Sequence, residues 1–259
     1  MRTVLLGLLI GFGLTMIANF CTTVYLHRTQ AHSAMTMKPW LGGVFKFVLW
    51  LTTGIRERQW VAVHRKHHAF TDEPEDPHSP AQLGWVRVQL TNVALYRKVA
   101  KDDANTAKYA RDLPRTAADA RFFDHALMGL ALGLVLLGLV LGLLRGDLLL
   151  GVTTAAIAGA FHLVLYLGLS GSVNSVAHTF GKRTYATSGT NVQWLAFITA
   201  GEGLHNNHHA APTSARLSLN AHEYDPSWWA IKTMAKLGWA TVRHETPKFV
   251  VPPVSESAR

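Results

Sequence analysis

Histidine is the residue through which this chain announces chemistry. Fourteen of its 259 residues are histidine, and most fall into patterned clusters: His27-x4-His32, His64-Arg-Lys-His67-His68 and His205-Asn-Asn-His208-His209, with Asn174-Ser-Val-Ala-His178 as a fourth element. On a helix, positions 64, 67 and 68 point to about 0°, −60° and +40°, one arc of about 100°. The same holds for 205, 208 and 209, so each triplet aims three imidazoles into one pocket. The adjacent pair in each triplet can serve two different metals. Asn174 and His178 share a helical face. His27 and His32 differ by about 140° on a regular helix, so they need a bend or a helix end to converge.

Eight clustered histidines plus His178 make nine. A single zinc takes four ligands, so the number fits two metals with four or five nitrogens each. Nitrogen-rich sites without thiolate suit iron, zinc, copper or nickel. Zinc does not change redox state, and a site placed where lipid chains arrive favours iron. A lone histidine near a membrane is ordinarily a hydrogen-bonded interfacial residue, and one H-x-x-H-H can be an isolated zinc site. Two such triplets with a H-x4-H do not reduce to either.

The elements that must hold these clusters are membrane helices. Apolar residues make up 49% of the chain and charged residues 16%, against about 25% charged in soluble domains, and the mean hydropathy is +0.13. A cytosolic globule, a disordered regulator and a disulfide-knotted domain are excluded. The single cysteine, Cys21, builds no internal disulfide, iron–sulfur cluster or cysteine zinc site. Residues 3–26 form an apolar run long enough for one crossing, read as a retained span rather than a cleaved signal. Residues 40–53, interrupted by Lys46, are too short to span and suit an interfacial or re-entrant helix. Residues 126–144 and 148–170 form a helical hairpin turned at Arg145-Gly146-Asp147. The expected architecture is an all-α integral membrane protein. It has three to four transmembrane helices, a short interfacial helix and a cytoplasmic helical cap that holds a di-metal site, all in one domain over 1–259. The first segment crosses once or forms a hairpin near Gly11-Phe12-Gly13.

The net charge of +9 does not form a nucleic-acid stripe: residues 54–124 hold 12 Lys/Arg against 10 Asp/Glu. Topology explains the excess. Of 25 Lys/Arg, Arg2 and Arg145 lie at one membrane side and 23 at the other, which makes the histidine side cytoplasmic.

These residues resemble the integral-membrane fatty acid desaturases, in particular the acyl-CoA Δ9 (stearoyl-CoA desaturase-like) branch. The likeness covers most of the chain. It runs through His27-Arg28…His32, Trp60-x3-His64-Arg65-x-His67-His68, Asp76-Pro77-His78, Asn174-x3-His178 and Gly201-Glu202-Gly203-x-His205-Asn206-x-His208-His209. The resemblance implies that the nine histidines ligate two irons and that Asn174 reaches a metal through a water. It implies an O2-dependent removal of two hydrogens from adjacent methylenes of a saturated acyl chain. The acyl group rides on coenzyme A, a carrier protein or a phospholipid. Acyl-CoA members commonly carry Arg-Asp against the thioester head group before the second box, where this chain has Ala62-Val63.

No G-x-G-x-x-G, cysteine cluster or His-Pro-Gly-Gly stretch supplies electrons internally. A separate ferredoxin or cytochrome with its reductase is therefore expected, and compactness suggests a bacterial cytoplasmic membrane. An alkyl or fatty-acid hydroxylase with the same metals is the nearest alternative; a membrane metal-transport protein would instead place its ligands within the spans. Beyond the boxes, Glu202 is a candidate carboxylate behind a ligand imidazole, and His78 a turn residue or a support for a ligand. His162 lies inside the last span, either facing a functional interior or bonding between helices. His125, His222 and His244 read as surface residues, and Trp228-Trp229 as an interfacial anchor.

Overall fold

In a computed structural model, residues 1–244 and 246–254 are described. About two-thirds of the chain is helical, with almost no sheet. In order it forms α1 (Arg2–Cys21) continued by a π-helix (Thr22–Ala31), strand β1 (Met35–Met37), α2 (Pro39–Thr52), α3 (Glu57–Ala69), α4 (Pro80–Leu83), α5 (Trp85–Ala100) and α6 (Asp103–Tyr109). A short π-helix (Asp119–Phe123) precedes α7 (Ala126–Arg145), α8 (Leu148–Thr179), α9 (Gln193–Ile198), α10 (His205–Ala210), α11 (Pro226–Lys236) and β2 (Ala240–Val242). The one small sheet pairs β1 and β2 antiparallel, Thr36 opposite Thr241.

Among the described residues, three helices are long and apolar enough to cross a membrane: Arg2–Ala31, Ala126–Arg145 and Leu148–Thr179. The first is one continuous helix, so the chain crosses there once and forms no hairpin at Gly11-Phe12-Gly13. With α2 only 14 residues long, three crossings are present rather than four. The turn after α7 follows its residue types: Gly146 is left-handed at φ 65°, and Asp147 caps α8 by accepting from Leu150 N at 3.0 Å.

Helix α8 packs between α1 and α7. The approach to α1 is closest at Gly7 and Gly11, where a Cβ would lie 2.7 Å from Ile157 Cγ2 and 2.6 Å from the Ala158 carbonyl oxygen. Arg145 donates to Thr154 Oγ1 at 3.0 Å and to Thr3 Oγ1 at 3.4 Å, which sets Thr3 and Arg145 together at the end remote from the histidines. Inside the bundle, the His162 ring lies 3.0 Å from Thr15 Oγ1 and 2.9 Å from the Thr52 carbonyl, joining α1, α2 and α8. This is the interhelical bonding alternative for that residue. A 32-residue helix is about 48 Å long against a hydrocarbon core of about 30 Å. The last turns of α8, carrying His178, therefore rise beyond the apolar layer into the cap.

The cap closes over these ends. A core of Val24, Leu26, Met35, Leu41, Phe45, Leu49 and Ile231 joins the π-helix, α2 and α11. Lys46 on α2 meets Glu57 of α3 and Asp119, and Glu57 also accepts from Tyr25 OH at 2.9 Å. A charge in an apolar run thus ties the short helix to the cap.

Candidate metal centre

The first histidine pair converges at a helix end, as expected, and through a change of winding: His32 caps the first helix. From Thr22 to Ala31 the backbone is π-helical, with hydrogen bonds from i+5 to i. Residues five apart then stack along the axis: His32 N donates to His27 O at 3.1 Å, and the two rings stand 4.9 Å apart. Arg28 anchors this segment. Its guanidinium donates to both carboxylate oxygens of Asp225 at 2.9 Å and to Ala215 O at 2.8 Å, while Nε donates to Thr23 Oγ1 at 3.1 Å. Both ion-pair partners are fully buried.

The triplets behave as helical geometry requires. His64, His67 and His68 lie in the last half of α3, and His205, His208 and His209 make up half of α10. Adjacent members divide between two groups. His27, His32, His64, His68 and His208 form one, and His67, His178, His205 and His209 the other; within each, the candidate ligand atoms lie within 4.8 Å of one another. His125, His222 and His244 join neither group.

Protonation follows from the partners. His27 Nδ1 lies 2.7 Å from Glu202 Oε1, His178 Nδ1 2.9 Å from Asp72 Oδ2, and His67 Nδ1 3.0 Å from both oxygens of Asp76. A carboxylate only accepts, so each Nδ1 carries the proton and each Nε2 presents a lone pair. The three carboxyls are set for this. Burial opposes their ionisation, but the hydrogen bonds and charge of their histidines outweigh it and hold Asp72, Asp76 and Glu202 below their ordinary values. Burial, reinforced by neighbouring histidines, pushes His32, His64, His68, His205, His208 and His209 well below 6.5, so these rings are neutral.

Whether a metal fits can be read from the nitrogens. Nε2 of His208 lies 3.0 Å from His27 Nε2 and 2.8 Å from His68 Nε2; His32 and His64 approach at 2.8 Å. In the other group His209 Nε2 lies 3.1 Å from His205 Nε2 and 3.3 Å from His67 Nε2. A ring nitrogen has one proton or one lone pair, so the shared approaches at His208 and His209 do not resolve into one hydrogen bond per nitrogen. Two nitrogens about 2.1 Å from one ion, at about 90–110°, lie about 3.0–3.4 Å apart, and the observed spacings overlap that range. His178 Nε2 is buried, deprotonated by the argument above and without a partner. That is the condition of a ligand atom facing a cation.

The residues outside the boxes sort as follows. Glu202 stands behind His27 and also accepts from Thr23 Oγ1. His78 is buried with its ring 4.8 Å from His67, and neither of its nitrogens has a partner among the described residues; burial above all pushes it down to about 3. The Asn174 amide donates to Asn92 Oδ1 at 3.0 Å. Trp60 stacks on His64, rings 4.9 Å apart and 8° from parallel.

The pair before the second box behaves as its residue types suggest. Ala62 and Val63 are buried, with Ala62 packed against Ala31 and Ala110, so neither presents a side chain to a head group. The sequence reading passed over Asp72 as a support for His178, Asp225 as the partner of Arg28, and the part Asp76 plays behind His67. The acidic stretch 72–76 directly after the second box was the available signal, because metal-bound imidazoles ordinarily donate their second N–H to a carboxylate.

The comparisons agree with this geometry. The fatty acid desaturase family model matches residues 3–245. The sn-1 stearoyl-lipid 9-desaturase of Synechocystis sp. is 32% identical, covering 84% of this chain and 65% of its own. The Delta-9 acyl-lipid desaturase 2 of Arabidopsis thaliana is 33% identical (85% and 68%), and the Acyl-CoA C20 Delta5-desaturase of Anemone leveillei 32% (86% and 68%). The chain thus spans about two-thirds of the length of these relatives. With the apolar helices, the buried histidine groups and a family match over nearly its whole length, this chain belongs to the fatty acid desaturases.

Proposed function

We propose that the chain, acting as a single unit over 1–259, introduces a cis double bond at the Δ9 position of a saturated fatty acyl chain, using O2 and a pair of irons. His27, His32, His64, His68 and His208 would hold one iron, and His67, His178, His205 and His209 the other. The observation that carries this is the convergence of nine imidazoles whose lone pairs face inward. Δ9 is the position named for two of the relatives above. When bound, the metal pair supplies O2 reduction and hydrogen removal from unactivated C–H bonds, which side chains cannot perform.

The chain's own residues set up that chemistry. Glu202, Asp72 and Asp76 hold the protons on Nδ1 of His27, His178 and His67, which fixes the tautomer that donates through Nε2. Asn174, on the same α8 face as His178, approaches the second metal through a water.

The balanced reaction converts –CH2–CH2–, O2, two electrons and two protons into –CH=CH– and two waters. The electrons come from a separate ferredoxin or cytochrome served by a reductase. The 23 Lys/Arg on the histidine side support a cytoplasmic orientation for that side. The relatives include plant as well as cyanobacterial proteins, so we carry forward the membrane and its sidedness rather than a bacterial compartment.

Fatty-acid profiling of cells expressing the parent or His208→Ala, with a ferredoxin system supplied, tests the reading. A new unsaturated acid in the parent alone supports it and locates the bond. Hydroxylated chains would replace it with the hydroxylase, and identical profiles would refute it.

A further inference from the structure

The histidines are not sealed. A cleft of about 560 Å³ opens onto them, and its floor holds His32 and His68 from the five-nitrogen group with His209 from the four-nitrogen group. His68 and His209 are stacked there, ring centroids 4.4 Å apart and 21° from parallel. The cleft therefore meets the centre at the seam between the groups, where one entrant reaches both. Of the three floor histidines, His32 and His68 are partly exposed, whereas His209 is buried like His27, His67, His178, His205 and His208.

One side of the cleft carries the polar Thr71; Val250 and Val251 also line it. The two valines belong to a strap, residues 249–254, laid across the third box and the loop before it. Val250 N donates to Ala210 O at 2.8 Å, Ala186 N to Pro252 O at 3.0 Å and Val254 N to Thr184 O at 2.9 Å. Phe249 stacks on Tyr185 at 4.9 Å. Phe249 and Val250 are otherwise exposed, at 48% and 67%. A segment held by a few edge hydrogen bonds and one aromatic pair opens far more readily than the helices beneath it. A hydrated cation entering a protein needs polar groups on which to shed its waters, because an apolar route leaves its charge unpaired. The cleft offers Thr71, Thr187 and Ser188, with the charge of its one cation, Arg65, paired to Asp112, and then the imidazoles themselves.

We infer that this cleft is the aqueous entrance by which hydrated metal ions reach the centre, and that the strap 249–254 is its gate. The inference rests on the metal-centre reading above. The test uses the full chain in detergent, loaded with ferrous ion, and follows transfer of iron to an excess of a hydrophilic ferrous chelator. Phe249→Ala removes the stack that pins the strap and should raise the release rate about fivefold, within the range one aromatic pair commands. Val251→Trp fills the cleft and should slow release by a similar factor. Bound iron at equilibrium should be unchanged in both, since all nine imidazoles remain.

Rates within twofold of the parent in both variants, with iron still bound, overturn the gate alone; a parent that binds no iron overturns the metal centre itself. If Phe249→Ala loses iron at equilibrium, the opposite-signed effect of Val251→Trp decides. Unchanged release in Val251→Trp with acyl turnover abolished would make the cleft an acyl entrance and overturn the inference.

Discussion

Asp76 offers the sharpest test of how the protein sets its metal ligands. Its carboxylate accepts from His67 Nδ1 at 3.0 Å on each oxygen, from Asp72 N at 2.8 Å on Oδ2 and from His78 N at 3.0 Å on Oδ1. Asp76→Asn preserves shape but leaves one accepting oxygen. Whichever way the amide turns, its NH2 meets a backbone N–H, and His67 Nδ1–H loses half its acceptor. The relief open to His67 is to move its proton to Nε2. That proton then stands where the lone pair should join His178, His205 and His209.

Loss of such a supporting carboxylate typically weakens metal binding about 10–100-fold, about 1.4–2.8 kcal/mol at about 1.4 kcal/mol per tenfold. His67 belongs to the four-nitrogen group and not to the five, so the loss should be confined to one metal of two. Competition titration against a chromophoric chelator reads this directly, as one tight site retained and one weakened. Equal weakening of both sites, or a change below threefold at either, would refute the tautomer argument.

Asp225→Ala should destabilise the protein by about 3–5 kcal/mol, because it strands the buried Arg28 charge and removes the α11 cap that accepts from Trp228 N; a loss under about 1 kcal/mol in detergent unfolding would contradict the anchoring role. The metal-free protein should weaken as pH falls below 6.5. Six histidines are held well below that value by burial, so the unfolded chain takes up protons there that the folded chain refuses. Each contributes about 1.4 kcal/mol per pH unit, and the same protons compete with metal. Thermal unfolding between pH 7.5 and 5 should show a monotonic fall in Tm, and a flat or rising Tm would count against neutral buried rings.

Much of this protein was legible without coordinates because its signals are local. A run such as 126–144 must find lipid or a core whatever surrounds it, and Gly146-Asp147 stop one helix and start the next through their own backbone and side-chain chemistry. The spacing in His64-x-x-His67-His68 determines a shared face because helical pitch is a property of the backbone. Nine histidines in that pattern already implied two nitrogen-rich sites.

Tertiary structure decided what depends on partners distant in sequence. Which of the two groups each imidazole joins was decided by the meeting of α3, α8, α10 and the end of α1, since helical angles place His67 and His68 side by side without saying what lies opposite. The pairing of His178 with Asp72 and of Arg28 with Asp225 spans long stretches of chain, and no periodicity encodes it. The π-helical winding that aligns His27 with His32 arises where the cap packs on the emerging span; regular helix arithmetic alone predicted that the two would splay. Ala62, two residues before His64, proved buried because α3 turns its face there toward Ala31 and Ala110. Local chemistry can be read from neighbours along the chain, whereas burial and tautomer depend on neighbours in space.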